Sequence, residues 1–206
     1  MVTIENQYFS IPQICMSGQC FRLNPVSGDT YELIASDRYL RIKVEEGAPS
    51  GAADGVEGRK GGTERTVLYC SSEEYESFWK RYFDLDTSYE EYLAGIDPKD
   101  EYLRTAAWFG SGIRILRQDV WEMIITFILS QQNNIPRIKG LIQAVSGKYG
   151  QKMETADGKL YDAFPTPEQL ADASEEELRA LKLGYRSRYI CGMARMIADG
   201  EVKLDE

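Results

Sequence analysis

The sequence predicts an α+β fold in which a small antiparallel sheet comes first and helices follow. Three observations predict it. Residues 30–35 and 39–44 alternate apolar and polar side chains and are rich in β-branched and aromatic residues, the period-two signature of half-buried strands. Trp121, Ile124, Ile125, Ile128 and Leu129 recur at i, i+3, i+4, i+7 and i+8, the spacing of a helix with a wide buried face. The change of texture falls near residues 110–118, which divides the chain into a sheet part with flanking helices at 1–112 and a helical part at 113–206.

From Tyr8 to Cys70 the texture is strand-like. Asn24-Pro25 and Ser27-Gly28-Asp29 mark a turn before the first strong strand. Ser36-Asp37-Arg38 fits a tight hairpin between 30–35 and 39–44. Residues 45–64 hold six glycines and no aromatic, which predicts a mobile loop. Residues 65–70 read as the returning strand.

Helices come next. Ser72 can cap a helix over 73–83, with Tyr75, Phe78, Trp79 and Tyr82 on one face. Such a stripe is core packing or, less often, a partner surface. A second helix is expected over 98–109, opened by Pro98 and broken by Gly110-Ser111-Gly112. Asp119 is an N-cap for the most apolar helix of the chain, with Glu122 three residues on. Pro136 starts a helix whose apolar face is Ile138, Leu141, Ile142 and Val145, and Gly150 closes it. After a polar loop, Thr166-Pro167 and Ser174-Glu175-Glu176-Glu177 open two short helices. Gly184 ends the second, and a last amphipathic helix runs through Ile190, Met193, Ala194 and Ile197.

Between the two long helices stand Ser130-Gln131-Gln132-Asn133-Asn134, five uncharged polar residues rich in donors and acceptors. They are either a loop that caps one helix and starts the next, or a site that hydrogen-bonds a planar polar group such as a base edge.

Composition limits the chemistry. The net charge of −9 argues against attraction of nucleic acid over the whole surface. Yet residues 102–153 carry Arg104, Arg114, Arg117, Arg137, Lys139, Lys148 and Lys152 against only Asp119 and Glu122. Residues 178–198 carry Arg179, Lys182, Arg186, Arg188 and Arg195 with no acid. These stretches are either a local phosphate-binding face or two solvated helix faces. With no histidine and four cysteines that lack CxxC spacing, a zinc site or iron–sulfur cluster has no support, and acid–base work falls to Asp, Glu, Lys, Tyr or Cys. No stretch is long and apolar enough to span a membrane, and the first residues do not form a signal peptide.

Four segments together resemble the 8-oxoguanine DNA glycosylases of the helix-hairpin-helix superfamily: residues 17–22 (SGQCFR), 112–119 (GIRILRQD), 130–138 (SQQNNIPRI) and 183–189 (LGYRSRY). The resemblance implies an N-terminal sheet similar to the TATA-binding-protein fold, then a partial helix-hairpin-helix domain made only of helices. It implies removal of oxidised guanine opposite cytosine from duplex DNA by a glycosylase and abasic-site lyase. Gly18 would offer its carbonyl to the N7–H of the damaged base, with Gln19 and Phe21 beside it on the substrate side. Arg137 and Arg186 would hydrogen-bond the orphan cytosine. Tyr185 would fill the vacated position, and Asn133, Asn134 and Arg188 would contact DNA. Gln132 stands where the family often has Asn, which keeps an amide but lengthens it. Bland roles stay open: a positive-φ turn for Gly18, helix-start packing for Tyr185, a phosphate contact for Arg186.

The family's catalytic apparatus, a Gly-rich hairpin with a lysine nucleophile and a later aspartate, would come after the last of these segments, and Glu206 precedes it. The chain alone is therefore expected to be inactive, either a portion of an enzyme or a non-catalytic module that binds DNA or a partner. A cytoplasmic, nucleoid-associated bacterial-type monomer without cofactor or metal is the expectation that goes with this resemblance.

Overall fold

The computed structural model describes residues 1–5, 8–45 and 64–204. It divides into two compact units, residues 1–33 with 40–117, and residues 34–39 with 118–206. The predicted loop over 45–64 lies outside the described residues except at its two ends.

The first unit carries a five-stranded sheet of β1 (Val2–Glu5), β2 (Leu23–Ser27), β3 (Thr30–Ala35), β4 (Arg38–Glu45) and β5 (Arg65–Leu68), in the order β1-β5-β4-β3-β2. The β1–β5, β2–β3 and β4–β5 ladders are antiparallel. Alternation works as expected in β4: Leu40 and Ile42 are buried while Arg41 and Lys43, which alternate with them, are exposed. Ser36 turns the β3–β4 hairpin in the left-handed region, at φ +53°. Asn24 and Pro25 belong to β2 rather than to a turn, which the edge position allows because an edge strand tolerates a missing N–H.

Helix α1 (Ile11–Met16) follows β1, although the sequence there reads as strand-like. It buries Ile11 and Ile14. The predicted helix over 73–83 is α2 (Ser72–Glu74), a π-helical turn (Tyr75–Trp79) and α3 (Lys80–Tyr82) in succession. Its cap is Ser71, which accepts from the Glu74 N–H, and not Ser72. Trp79, Tyr82 and Phe83 are buried, and Phe9 meets Phe83 edge-on at 5.3 Å, so this part of the stripe is core. Helices α4 (Tyr89–Ala94) and α5 (Glu101–Phe109) complete the unit. Asp100 rather than Pro98 opens α5, accepting from the Leu103 N–H.

The second unit contains α6 (Val120–Ser130), α7 (Ile135–Tyr149), α8 (Pro167–Ala171), α9 (Glu175–Ala180) and α10 (Arg186–Ala198). Trp121, Ile125 and Leu129 of α6, Ile138, Leu141, Ile142 and Val145 of α7, and Ile190 and Ala194 of α10 are buried, as the helical spacing predicts. Thr166 and Ser174 both form capping boxes. Asp119 caps α6 through the Glu122 N–H, but the Glu122 carboxylate accepts from the Ser36 N–H at 2.9 Å.

One expectation for this half is corrected. The chain after residue 112 is not helical throughout, because β6 (Lys152–Glu154) and β7 (Leu160–Asp162) form a short antiparallel hairpin. Its support is tertiary: Tyr161 donates to the Asp37 carbonyl and stacks near Tyr39, with ring centroids 5.5 Å apart. Gly150 ends α7 with an ordinary φ of −72°. It is glycine for room, since a Cβ there would lie 1.9 Å from the Ala163 carbonyl oxygen.

Candidate nucleic-acid interface

In the second unit, the amide-rich junction and the start of α10 come together. Helix α6 stops at Ser130, and the chain turns through Gln132 at φ +49°, a left-handed conformation uncommon for a side chain other than Gly or Asn. Arg186, in the first turn of α10, donates through Nη2 to the carbonyls of Gln131 and Gln132 and through Nη1 to that of Leu183. Its guanidinium carbon lies 4.6 Å from the Tyr185 ring centroid. Two segments about fifty residues apart in sequence are thereby tied at one place.

The two readings of the junction divide by residue. Asn133 donates to the Leu129 carbonyl at 2.9 Å and so closes α6. Asn134 accepts from the Arg137 N–H at 3.1 Å and so opens α7. The Gln131 amide donates to the Phe127 carbonyl. Asn133 and Asn134 thus each have a capping bond, which satisfies groups that helix ends leave orphaned, and their expected contact with DNA is left to the amide atoms these bonds do not use. The Gln132 side chain is exposed and makes no hydrogen bond among the described residues. Arg137 is exposed in the first turn of α7 with its guanidinium unpaired among the described residues.

Beside them, Tyr185 and Tyr189 are 47% and 59% exposed, with ring centroids 6.3 Å apart. Arg188 is exposed between them. Arg186 is only 5% exposed, and its Nε is buried without a partner. Sequence reasoning places Arg186 on a base; the structure places its donors on backbone carbonyls. The first turn of α10 has no side-chain cap, a geometry that suits a phosphate.

The basic stretches also separate. Arg114 is buried, so it does not belong to a phosphate-facing surface. Arg117 pairs with Asp84, Lys148 with Glu177, Lys152 with Asp162 and Arg179 with Glu175. Arg195 donates to the carbonyls of Ala171 and Ala173. Arg137, Lys182 and Arg188 are exposed cations whose side chains have no partner among the described residues.

In the first unit, Gly18 turns at φ +78°, with nothing within 4 Å of where a Cβ would stand, so conformation and not space selects glycine. Gln19, expected on the substrate side, uses its amide on the chain: Nε2 donates to the Arg114 carbonyl at 2.9 Å and Oε1 accepts from the Leu116 N–H at 3.1 Å. Gln13 does the same one step earlier, donating to the Phe109 carbonyl and accepting from the Gly112 N–H. No sequence signal singled out Gln13. Together the two amides take the place of a neighbouring strand along residues 109–116. Gly112 must be glycine there, since a Cβ would lie 2.5 Å from that of Ser10. Phe21 is half-buried.

Among the described residues, no group of three or more His, Cys, Asp or Glu is placed to hold a metal ion, and no helix is long and apolar enough to cross a membrane. Burial pushes the Cys70 thiol up to about 11, and burial also raises the Cys191 thiol, so neither is poised as a nucleophile.

A sheet-then-helix fold with such a junction belongs among DNA-repair proteins: residues 125–204 match the model of the HhH-GPD superfamily of base excision DNA repair proteins. Residues 1–124 match the 8-oxoguanine DNA glycosylase N-terminal domain, and the chain belongs to the 8-oxoguanine DNA glycosylase family. It is 38% identical over 125 residues to the N-glycosylase/DNA lyase of Saccharomyces cerevisiae, a match covering 60% of this chain and 33% of that protein. The solved structure of MBOgg1 in complex with low affinity DNA ligand superposes with a TM-score of 0.82 at 32% identity, covering 98% of this chain and 64% of that one. The Clostridium acetobutylicum 8-oxoguanine glycosylase/lyase, solved with dsDNA containing cytosine opposite to 8-oxoG, gives 0.79 at 31% identity, covering 96% of this chain and 62% of that one. This chain thus spans about a third of the yeast relative and less than two thirds of the two solved ones.

Proposed function

We propose that this chain serves base-excision repair of 8-oxoguanine opposite cytosine in duplex DNA, and that its second unit reads the strand opposite the lesion. The observation that carries this is the tie between Arg186 and the carbonyls of Gln131 and Gln132, which sets the exposed Gln132, Arg137 and Tyr185 around one junction. Extruding a nucleotide costs a few kcal/mol of unstacking and unpairing. An aromatic side chain in the vacated position and hydrogen bonds to the orphan base offset that cost, at roughly 1–3 kcal/mol for a good bidentate contact. In this proposal Tyr185 is the wedge, and Gln132 and Arg137 contact the cytosine edge. Arg188 and Lys182 hold phosphate. Arg186 holds the turn that presents Gln132. Gly18 offers its carbonyl to the damaged base.

The test is binding of the 206-residue chain to duplexes carrying 8-oxoguanine opposite cytosine or opposite adenine. Arg137→Ala should reduce the preference for cytosine by roughly tenfold or more, with a smaller loss of affinity for undamaged duplex. An equal loss on every duplex would reassign Arg137 to the phosphate backbone.

In this proposal no described lysine serves as the nucleophile of such an enzyme. A Schiff-base lysine needs its pKa lowered by burial or a neighbouring cation. Three described lysines are shifted the other way: Lys43 chiefly by its hydrogen bond to Glu45, Lys80 by Asp86, and Lys148 by Tyr149 and Glu177. Borohydride treatment of these 206 residues with an abasic-site duplex should therefore trap no covalent adduct. An adduct that disappears when one lysine is replaced would overturn this.

A further inference from the structure

Helix α6 is apolar on every side. Eight of its 11 residues are apolar, and its one charged residue, Glu122, is buried with its carboxylate on the Ser36 N–H. Such a helix belongs in a core with partners on both sides, or in a membrane. Its 11 residues are too few to span a bilayer.

Among the described residues only one side of α6 is covered. Trp121, Ile125 and Leu129 are buried, and the helix packs against α7 and α10. The opposite side carries Val120, Met123 and Phe127 at i, i+3 and i+7, and they are 40%, 47% and 68% exposed. They share one face over about 10 Å of helix. Phe127 alone offers water roughly 140 Å², taking about 200 Å² for such a side chain. With its two neighbours the patch reaches roughly 300 Å², a size that marks an interaction site.

The face offers little to a polar occupant. Thr126 and Ser130 on its flank donate their hydroxyls to the Met123 and Phe127 carbonyls, at 3.0 and 2.7 Å. Apart from the buried Glu122, α6 brings no charge. The occupant is therefore an apolar side of protein, and helices α7 and α10 show what the other side of α6 accepts.

Two sources of such a helix differ in what would hold it. A second copy would bring the same patch, and two patches of this size bury far less than the roughly 800 Å² per partner of a stable interface. A helix on the same polypeptide needs no such area, because tethering supplies an effective concentration of about millimolar. The longer relatives have chain to supply it. The superposed region takes in 98% and 96% of this chain but only 64% of MBOgg1 and 62% of the Clostridium acetobutylicum glycosylase/lyase.

We propose that the face of Val120, Met123 and Phe127 docks an apolar helix from the part of those relatives that lies outside the superposed region. These three residues have no role in the DNA reading, so the proposal stands whether or not that reading does.

The experiment compares the 206-residue chain with a hybrid in which the same chain is joined to the outlying part of the Clostridium acetobutylicum protein. Both are treated briefly with hydrogen peroxide, and oxidation of each methionine is followed by mass spectrometry. Met123 should oxidise more slowly in the hybrid by roughly fivefold or more, while Met153 of β6 oxidises alike in both. Val120→Ser with Phe127→Ser changes two exposed side chains, so the fold should survive, as circular dichroism will show, while the hybrid loses its protection of Met123. Equal oxidation of Met123 in the two chains, equal slowing of Met153, or protection kept by the double variant would overturn the proposal. So would protection of Met123 in the 206-residue chain alone that grows with its concentration beside a dimer in sedimentation velocity, because the occupant would then be a second copy.

Discussion

Arg114 offers the sharpest test of how the first unit is held. It is 1% exposed, and its guanidinium donates to the carbonyls of Tyr8, Asp84 and Thr87 while lying 4.4 Å from the Tyr89 ring centroid. Burial lowers its pKa from the usual arginine value, yet a guanidinium stays charged at any working pH. Arg114→Met keeps the apolar stem and removes every donor. Three carbonyls lose a charged partner, each bond contributing about 1.5–3 kcal/mol. Those carbonyls belong to half-exposed residues, so water recovers part of the loss. Loss of the ring contact adds about 1 kcal/mol, and relief from burying a charge subtracts something similar. The net cost is about 3–5 kcal/mol, a large share of the 5–15 kcal/mol that folded domains possess. With a urea m-value of about 1.5 kcal/mol/M, the midpoint should fall by about 2–3 M. The assay is urea unfolding of the first unit, followed by hydrogen exchange of β3, β4 and β5. Arg117→Met is the control: Arg117 is 59% exposed in its pair with Asp84, and such a pair contributes under about 1 kcal/mol. A midpoint for Arg114→Met within about 0.5 M of the parent would refute the reasoning.

Two further predictions rest on charge. Glu64 is held above the usual carboxylate pKa chiefly by burial, against a hydrogen bond donated by Ser10. A raised folded-state pKa means the native chain keeps its proton longer than the unfolded one, so stability falls as pH rises from the ordinary value through the raised one. Glu64→Gln removes that loss: it should melt higher than the parent at pH 7 and alike near pH 4, and a difference constant across pH would sink the assignment. Duplex affinity should depend on salt with a slope of about −2, from Lys182 and Arg188, whereas all the cations of the two basic stretches would give about −11; a slope near the steeper value would return the paired cations to the DNA face.

Much of the frame is legible in the sequence, and the reasons it fails elsewhere are physical. β3, β4, α6 and α7 are long enough for two or more periods of alternation, so composition alone defines them. Helix α1 has six residues and Pro12, too short a run to show a helical period. α4 likewise has six, and the β6 and β7 strands only three each. Such elements depend on tertiary contacts, as Tyr161 shows by reaching the Asp37 carbonyl 124 residues away in sequence. Buried roles of polar residues are equally silent. Arg114 and Arg137 are alike in sequence as cations of one basic stretch, yet one is enclosed and the other exposed. Gln19 lies in a motif that drew attention to a substrate, while Gln13 lies in none, and the structure gives both the same backbone-binding task.

The four segments that carry the family likeness therefore mix two kinds of residue. In the first unit, residues 17–22 and 112–117 are joined through the Gln19 amide, so their pattern largely records how one stretch of backbone is held beside another. In the second, residues 130–138 and 183–189 are joined through Arg186. There the caps and the clamp face inward and leave Gln132, Arg137, Tyr185 and Arg188 to solvent. Under the proposed function, an acidic chain meets DNA on these terms. The paired cations of the two stretches are neutralised by local carboxylates, and the phosphate attraction is confined to the few that are not. In that proposal the exposed cations near Gln132, Tyr185 and Tyr189 would attract a backbone where those groups can also reach bases. In the same proposal the negative surplus elsewhere would keep nucleic acid from binding out of register.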